Sequence, residues 1–244
     1  MRVSPSAFVV TGCGRSGTGY AAALLSAVGR QCGHEAIFHP DTDDVPATFR
    51  APVGDASWLA APFIPRLPPA TVVVHLVRDP LEVARSHLGI GFFSTRPQPP
   101  AVRLQNAVEL ARRSFGMPTR RYVRADFRRF LERHDPDIFR GRGELARCIR
   151  YWVRWNELVE RGVEEARLPY MRMAVERIDA ETLTELLARI GSSVGPDHIG
   201  DVLAEVPRAT NTRARDERLG QAELQSADTD GSLARLAERY GYEA

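Results

Sequence analysis

The chain contains no lysine; all 33 of its cations are arginines, set against 31 acidic residues. That absence excludes Schiff-base chemistry on lysine, and it excludes a Walker-type loop, whose lysine reaches the terminal phosphates. Cysteine is scarce as well. Cys13, Cys32 and Cys148 form no C-x-x-C pair and are odd in number, so a disulfide framework is not expected and a reducing compartment is the default. No apolar run approaches the roughly 18 residues of a membrane span, and residues 7–10 are too short for a signal-peptide core. The expectation is a soluble, cytoplasmic protein without a membrane span. A net charge of +2 is too balanced for a generic nucleic-acid binder, so nucleic acid is not expected as a partner.

What is present is an ordinary globular composition, 43% hydrophobic and 26% charged. A length of 244 residues suits one sizeable α/β domain and is short for two. With no internal repeat and no evident linker, residues 1–244 read as a single domain. Residues 7–11 are β-rich and uninterrupted by charge, as in a strand buried on both faces. A glycine cluster follows at 12–19, then an alanine- and leucine-rich helix over 20–28 that Gly29 ends. Residues 71–77 form a second strand, closed by Arg78-Asp79-Pro80, where Asp79 suits a helix cap and Pro80 its first turn. Residues 168–175 read as a third strand. Helices are expected over 81–88, from 101 onward, over 143–165, near 180–190 and 196–205, and at the C-terminus. Residues 39–70 and 89–100 read as irregular excursions. Strands alternating with helices make this an α/β chain with a mostly parallel sheet.

A glycine turn between a buried strand and a helix presents backbone N–H groups at the positive end of a helix dipole, where an anion is favoured. Arg15 adds a full charge and a planar fork for phosphate or sulfate oxygens, and Ser16 and Thr18 add hydroxyls. Gly12, Gly14 and Gly17 also match G-x-G-x-x-G, with Glu35 near the position of a ribose-binding acid, so an NAD-dependent oxidoreductase is an alternative. Against it, residues 29–34 are polar and glycine-broken where a dinucleotide fold needs its second strand.

The loop Gly14-Arg15-Ser16-Gly17-Thr18 after a strand resembles the 5′-phosphosulfate loop of sulfotransferases. Arg78-Asp79-Pro80, followed by Val83 and Ser86, is similar to the motif with which that family binds the 3′-phosphate of 3′-phosphoadenosine 5′-phosphosulfate (PAPS). Arginine where many cytosolic members carry lysine looks more like the carbohydrate, tyrosylprotein and bacterial branches. An all-arginine, alanine-rich composition also points to a GC-rich bacterial genome. The resemblance implies a P-loop-like three-layer α/β fold, a central parallel sheet flanked by helices, and PAPS as sulfuryl donor, with adenosine 3′,5′-bisphosphate (PAP) as product. It implies that Gly14, Arg15, Ser16, Gly17, Thr18 and Gly19 hold the phosphosulfate, and that Arg78 and Ser86 clasp the 3′-phosphate. Asn211 and Arg213 would close over the nucleotide. Arg15 would stabilise the charge on the leaving phosphate. The general base would be Glu35 or, second, His34, which fall just after the first helix, where such enzymes often carry an acid.

Asp55, Ser57 and Trp58 are candidates for lining the pocket of a small-molecule, lipid or glycan acceptor. No metal-ligand cluster is evident and none is expected. Tyr151, Trp152 and Trp155 read as a core-facing helix stripe, His75 as a packed core residue and His87 as a border of the nucleotide, whereas His134 and His198 read as solvated. A non-catalytic PAPS or PAP sensor is the remaining alternative.

Overall fold

The computed structural model describes residues 6–115, 122–208 and 215–243. The uncharged run near the N-terminus is strand β1 (Phe8–Thr11), buried along its whole length. It lies at the centre of a sheet with β2 (Cys32–His34), β3 (Gly54–Ala56), β4 (Val72–Val77) and β5 (Tyr170–Ala174), in the order β2-β3-β1-β4-β5. All four pairings are parallel. Alternation along β1 turns Phe8 and Val10 to one face and Val9 to the other, and both faces are covered. Helices α1 (Thr18–Ala27), α2 (Pro80–Gly89), α3 (Pro100–Ser114), α4 (Arg124–His134) and α5 (Glu144–Ala166) are followed by α6 (Ala180–Arg189), α7 (Pro196–Glu205), α8 (Gln221–Ala227) and α9 (Ser232–Arg239). Leu24, Leu25, Leu186 and Val202 bring α1, α6 and α7 against Phe8 and Val10. Val9 and Val73 meet Trp155 and Val159 of α5 on the opposite face, together with Leu236 of α9. The result is a three-layer, P-loop-like α/β architecture. No described helix is long and apolar enough to cross a membrane.

Residues 39–70 are more ordered than their prolines and aspartates suggest. They contain β3 and a 3-10 helix, Trp58–Arg66. Strand β2 likewise occupies the segment that its polar, glycine-broken sequence argued against. Both strands have three residues, too few to display a period of two. Glycine is required in β3 by packing: a Cβ on Gly54 would lie 2.0 Å from the Phe8 ring.

Asp55 and Ser57 are corrected by their burial, for neither borders the site described below. The Asp55 carboxylate is fully buried and accepts the amides of Ala36, Ile37 and Phe38 at 3.1, 3.2 and 3.0 Å. It therefore fixes the turn that follows β2. Burial pushes its carboxyl above the usual range, and those amides pull it back. Ser57 donates to the Phe38 carbonyl at 2.8 Å and caps the 3-10 helix by accepting from the Leu59 amide.

Tyr151, Trp152 and Trp155 are core residues, as their spacing on α5 indicated. His75 is buried in β4 between the Tyr170 hydroxyl at 3.0 Å and Asn156 Oδ1 at 2.9 Å. His134 is not solvated: it is half-buried against the Phe63 and Phe130 rings, and its Nε2 has no hydrogen-bond partner. Its flanking charges point elsewhere, with Arg133 reaching Asp43. His198 is exposed.

Candidate functional site

Strand order locates the site. The chain leaves β1 toward β2 on one side of the sheet and later adds β4 on the other side of β1. A parallel α/β sheet opens a crevice at the carboxyl ends of its strands where the order reverses in this way. A cavity of about 880 Å³ lies there, lined by residues that follow β1, β2, β4 and β5.

The loop after β1 is shaped by close approach. A Cβ on Gly12 would lie 2.0 Å from the Leu76 carbonyl oxygen, and Gly17 has φ +93° with Val175 packed against it. Arg15 adopts φ +74°, a left-handed conformation that costs a non-glycine residue about 1–3 kcal/mol and persists only where its surroundings enforce it. Here they do. Arg15 Nε donates to Ser86 Oγ at 2.7 Å, and the Arg15 carbonyl accepts from Arg78 Nη1 at 3.0 Å. One residue earlier, the Gly14 amide donates to the Tyr151 hydroxyl and the Gly14 carbonyl accepts from His87 Nε2 at 3.1 Å. That bond fixes the proton on Nε2, leaving Nδ1 buried and unpartnered. Burial lowers the His87 pKa to about 3, so the ring is neutral.

The glycine loop and the segment from Arg78 to Ser86 are thus joined directly. Gly14, Arg15, Gly17, Thr18 and Gly19 line the cavity together with Arg78 and Ser86. Ser16 does not, which corrects its expected role. It is fully buried, with its hydroxyl 2.9 Å from Cys13 Sγ and its amide on the Cys13 carbonyl. With the Gly14 amide also taken, the anion cradle is the first turn of α1, whose amides have no carbonyl one turn earlier to bond.

Asp79 caps α2 by accepting the Leu81 and Glu82 amides at 2.7 and 3.3 Å, with Pro80 in the first turn as expected. Arg78 reaches Glu82 at 3.4 Å and Glu176 at 3.8 Å, and its Nε is buried without a hydrogen-bond partner. His34 and Glu35 both face the cavity at the carboxyl end of β2. His34 Nε2 is 3.3 Å from Thr18 Oγ1 and 3.9 Å from Glu35 Oε1. Trp58 also lines the cavity, the one acceptor candidate of three that does.

Sequence reading did not single out Arg124, Glu176 or Arg208, which also line the cavity. Arg208 donates to the Glu176 and Ile178 carbonyls at 2.9 and 2.8 Å, tethering the chain beside the end of β5. Arg215 reaches Glu82 at 2.7 Å. Asn211 and Arg213 lie outside the described residues, between these two arginines. The arginine-rich stretch from 208 was the available signal, but it did not say which of its residues face inward. Five described arginines against Glu35 and Glu176 make the cavity cationic, so it concentrates anions. Among the described residues no group of three or more His, Cys, Asp or Glu is placed to hold a metal ion.

Comparison of the chain with protein-family models, with curated proteins and with solved structures finds no match in any of the three.

Proposed function

We propose that this chain is a PAPS-dependent sulfotransferase acting on a hydroxyl acceptor. The observation that carries this reading is the 2.7 Å bond from Arg15 to Ser86, which joins two motifs separated by 71 positions at the mouth of one cavity. Either motif alone is a glycine turn or a capped helix; together they make a site with two anion positions. Arg78 fits the second position, because its buried Nε still lacks an acceptor and an anionic oxygen would supply one.

When bound, PAPS supplies a sulfuryl group already attached to a phosphate leaving group. The chain's own contribution is electrostatic and positional. Arg15 and the first turn of α1 hold negative charge on the leaving side. Arg78 and Ser86 orient the nucleotide through its 3′-phosphate. Glu35 accepts the proton of the acceptor hydroxyl as the sulfur–oxygen bond forms, and His34 stands next to it as a positioning or alternative base.

Strand order weighs against the dinucleotide reading. A dinucleotide fold places the ribose-binding acid at the end of the strand beside β1. Here that neighbour is β3, whose Asp55 is committed to three amides, while Glu35 follows the outer strand β2.

The test is calorimetric titration with PAP, NAD and ATP in parallel, wild type beside Arg78→Ala. Binding of PAP alone is expected. Arg78→Ala should weaken PAP on the order of 10- to 100-fold, the range for losing a charge-assisted contact, and adenosine 5′-phosphosulfate clearly less, through the lost bond to the Arg15 carbonyl alone. Preference for NAD, or equal losses for both ligands, would remove the assignment. A non-catalytic sensor would bind PAP but transfer no radiolabelled sulfate from PAPS to any acceptor in a hydroxyl-compound panel.

A further inference from the structure

Every large apolar side chain that the described residues leave exposed sits on α3 or directly after it. Leu104, Val108, Leu110 and Phe115 are 68%, 54%, 45% and 79% exposed. At 100° per residue, Leu104, Val108, Ala111 and Phe115 fall in a stripe roughly 60° wide. The opposite side of the helix is the one that faces the protein: Val102 and Asn106 line the cavity and Glu109 is buried. Helix α3 is therefore inverted, with Asn106 and Glu109 inward beside Val102 and an apolar stripe outward. Arg103 and Arg112 stand on the two sides of the stripe by the same helical geometry; Arg103 is exposed, while Arg112 turns to the buried Glu109 at 3.9 Å.

Charge is distributed in the same sense. Residues 83–125 carry eight arginines and one acid, Glu109, whereas the rest of the chain has 25 arginines against 30 acids. The single acid is buried beside Arg112, at 3.9 Å, and Arg85 pairs with Glu82, which leaves the exposed Arg96 and Arg103 with no ion pair to a described carboxylate. An exposed apolar stripe edged by the exposed Arg103, in a segment poor in acids, is the pattern of a helix lying in a lipid interface. A second copy of the chain is a poorer occupant, because it would bring two such arginine-rich segments together.

We propose that α3 is an interfacial helix that lays its apolar stripe on an anionic lipid bilayer, with Arg103 among the headgroups. This goes beyond the proposed activity and stands without it. It also places the Val102 and Asn106 wall of the cavity about one helix diameter, roughly 10 Å, from the lipid.

Co-sedimentation of the full chain with phosphatidylcholine vesicles, with and without phosphatidylglycerol, tests it. Partitioning onto the anionic vesicles should be at least about tenfold stronger than onto neutral ones and should weaken as salt rises. The double variant Val108→Asn/Phe115→Ser should lose about tenfold on anionic vesicles, and Arg103→Gln about fivefold. Both sites are exposed, and matching circular-dichroism melts check that the fold is kept. Absence of vesicle binding, equal binding to neutral lipid, or wild-type binding by the double variant would each overturn the proposal. So would light scattering that shows a dimer in wild type and a monomer in the double variant without vesicle binding; the face would then belong to a second copy.

Discussion

The cavity has two walls built on different principles. The wall formed by strand ends is tied across long stretches of sequence: Arg15 to Ser86, Arg78 to the Arg15 carbonyl, and Trp152 Nε1 to the Arg78 carbonyl at 3.0 Å. Behind it, α5 buries three large aromatic residues. The facing wall, on α3 and the start of α4, has a different character. Asn106 bonds Gln98 only eight positions away, and α3 turns its apolar side outward. Tyr122 reaches His39 at 2.9 Å, Arg124 Nη1 donates to the Gly91 carbonyl at 2.6 Å and Phe127 packs on Trp58, tying this wall to the first half of the chain. Under the proposed readings the walls would have distinct duties. A charged group of fixed shape needs pre-set donors, and the first wall has them; an apolar partner of variable shape needs surface, and the second supplies it.

The largest expected effect comes from removing the support of the first wall. Trp155 is fully buried on α5 and donates to the Trp58 carbonyl at 2.9 Å. Trp155→Ala should cost about 3–5 kcal/mol in urea denaturation, the range for truncating a buried tryptophan. A loss below about 1 kcal/mol would mean that the aromatic layer is not what holds the strand-end wall.

Next in size is an effect on rate rather than on folding. Glu35→Gln keeps the shape of the side chain and removes its basicity. Sulfate transfer should fall on the order of 100-fold or more with PAP affinity nearly unchanged. If turnover stays at wild-type level, Glu35 is not the base and His34→Gln becomes the deciding variant.

Acid sensitivity sharpens the comparison further, because the buried histidines belong to the first wall and its strand. Burial lowers His87 to about 3 and His75 to about 4. In the unfolded chain both take up protons near pH 6.5, before the folded protein does. The unfolded state therefore binds more protons below that pH, and folding stability declines as pH falls from about 6.5 toward 4. Each histidine contributes a slope of about 1.4 kcal/mol per pH unit in that window. Urea midpoints measured between pH 7 and 4.5 should show it, and His75→Gln should reduce the slope by about one proton. An unchanged slope would place the titration elsewhere.

How much of this was legible depended on whether a feature was local. Arg15, Arg78, Asp79 and the glycine turn are read from neighbours in sequence: Asp79 caps α2 as its neighbours suggested, and Arg15 and Arg78 line one cavity. The aromatic stripe of α5 was legible because a long amphipathic helix repeats its signal. Strand β3 was not, since it has three residues and includes a glycine demanded by Phe8, a residue 46 positions earlier. Asp55 reads in the sequence as a candidate for lining the acceptor pocket; its three amide donors become visible only in three dimensions. Ser16 erred in the same way, its hydroxyl being turned to Cys13 by the path of the loop.

The smallest effect is also the one that decides whether the walls differ as described. Phe115 is 79% exposed, so replacing it removes almost no buried area. Phe115→Ser should shift folding stability by no more than about 0.5 kcal/mol, as for a surface substitution away from any cap or core. The residue directly follows α3, whose last residue is Ser114. A shift above about 1 kcal/mol in the urea midpoint would show that the ring packs on something in solution, either within the chain or in a second copy. Repeating the measurement across protein concentration separates those two, because only a contact between copies makes the midpoint rise with concentration. An unchanged midpoint at every concentration leaves α3 as a surface with its apolar stripe free, in contrast to α5, where the same kind of side chain holds the fold together.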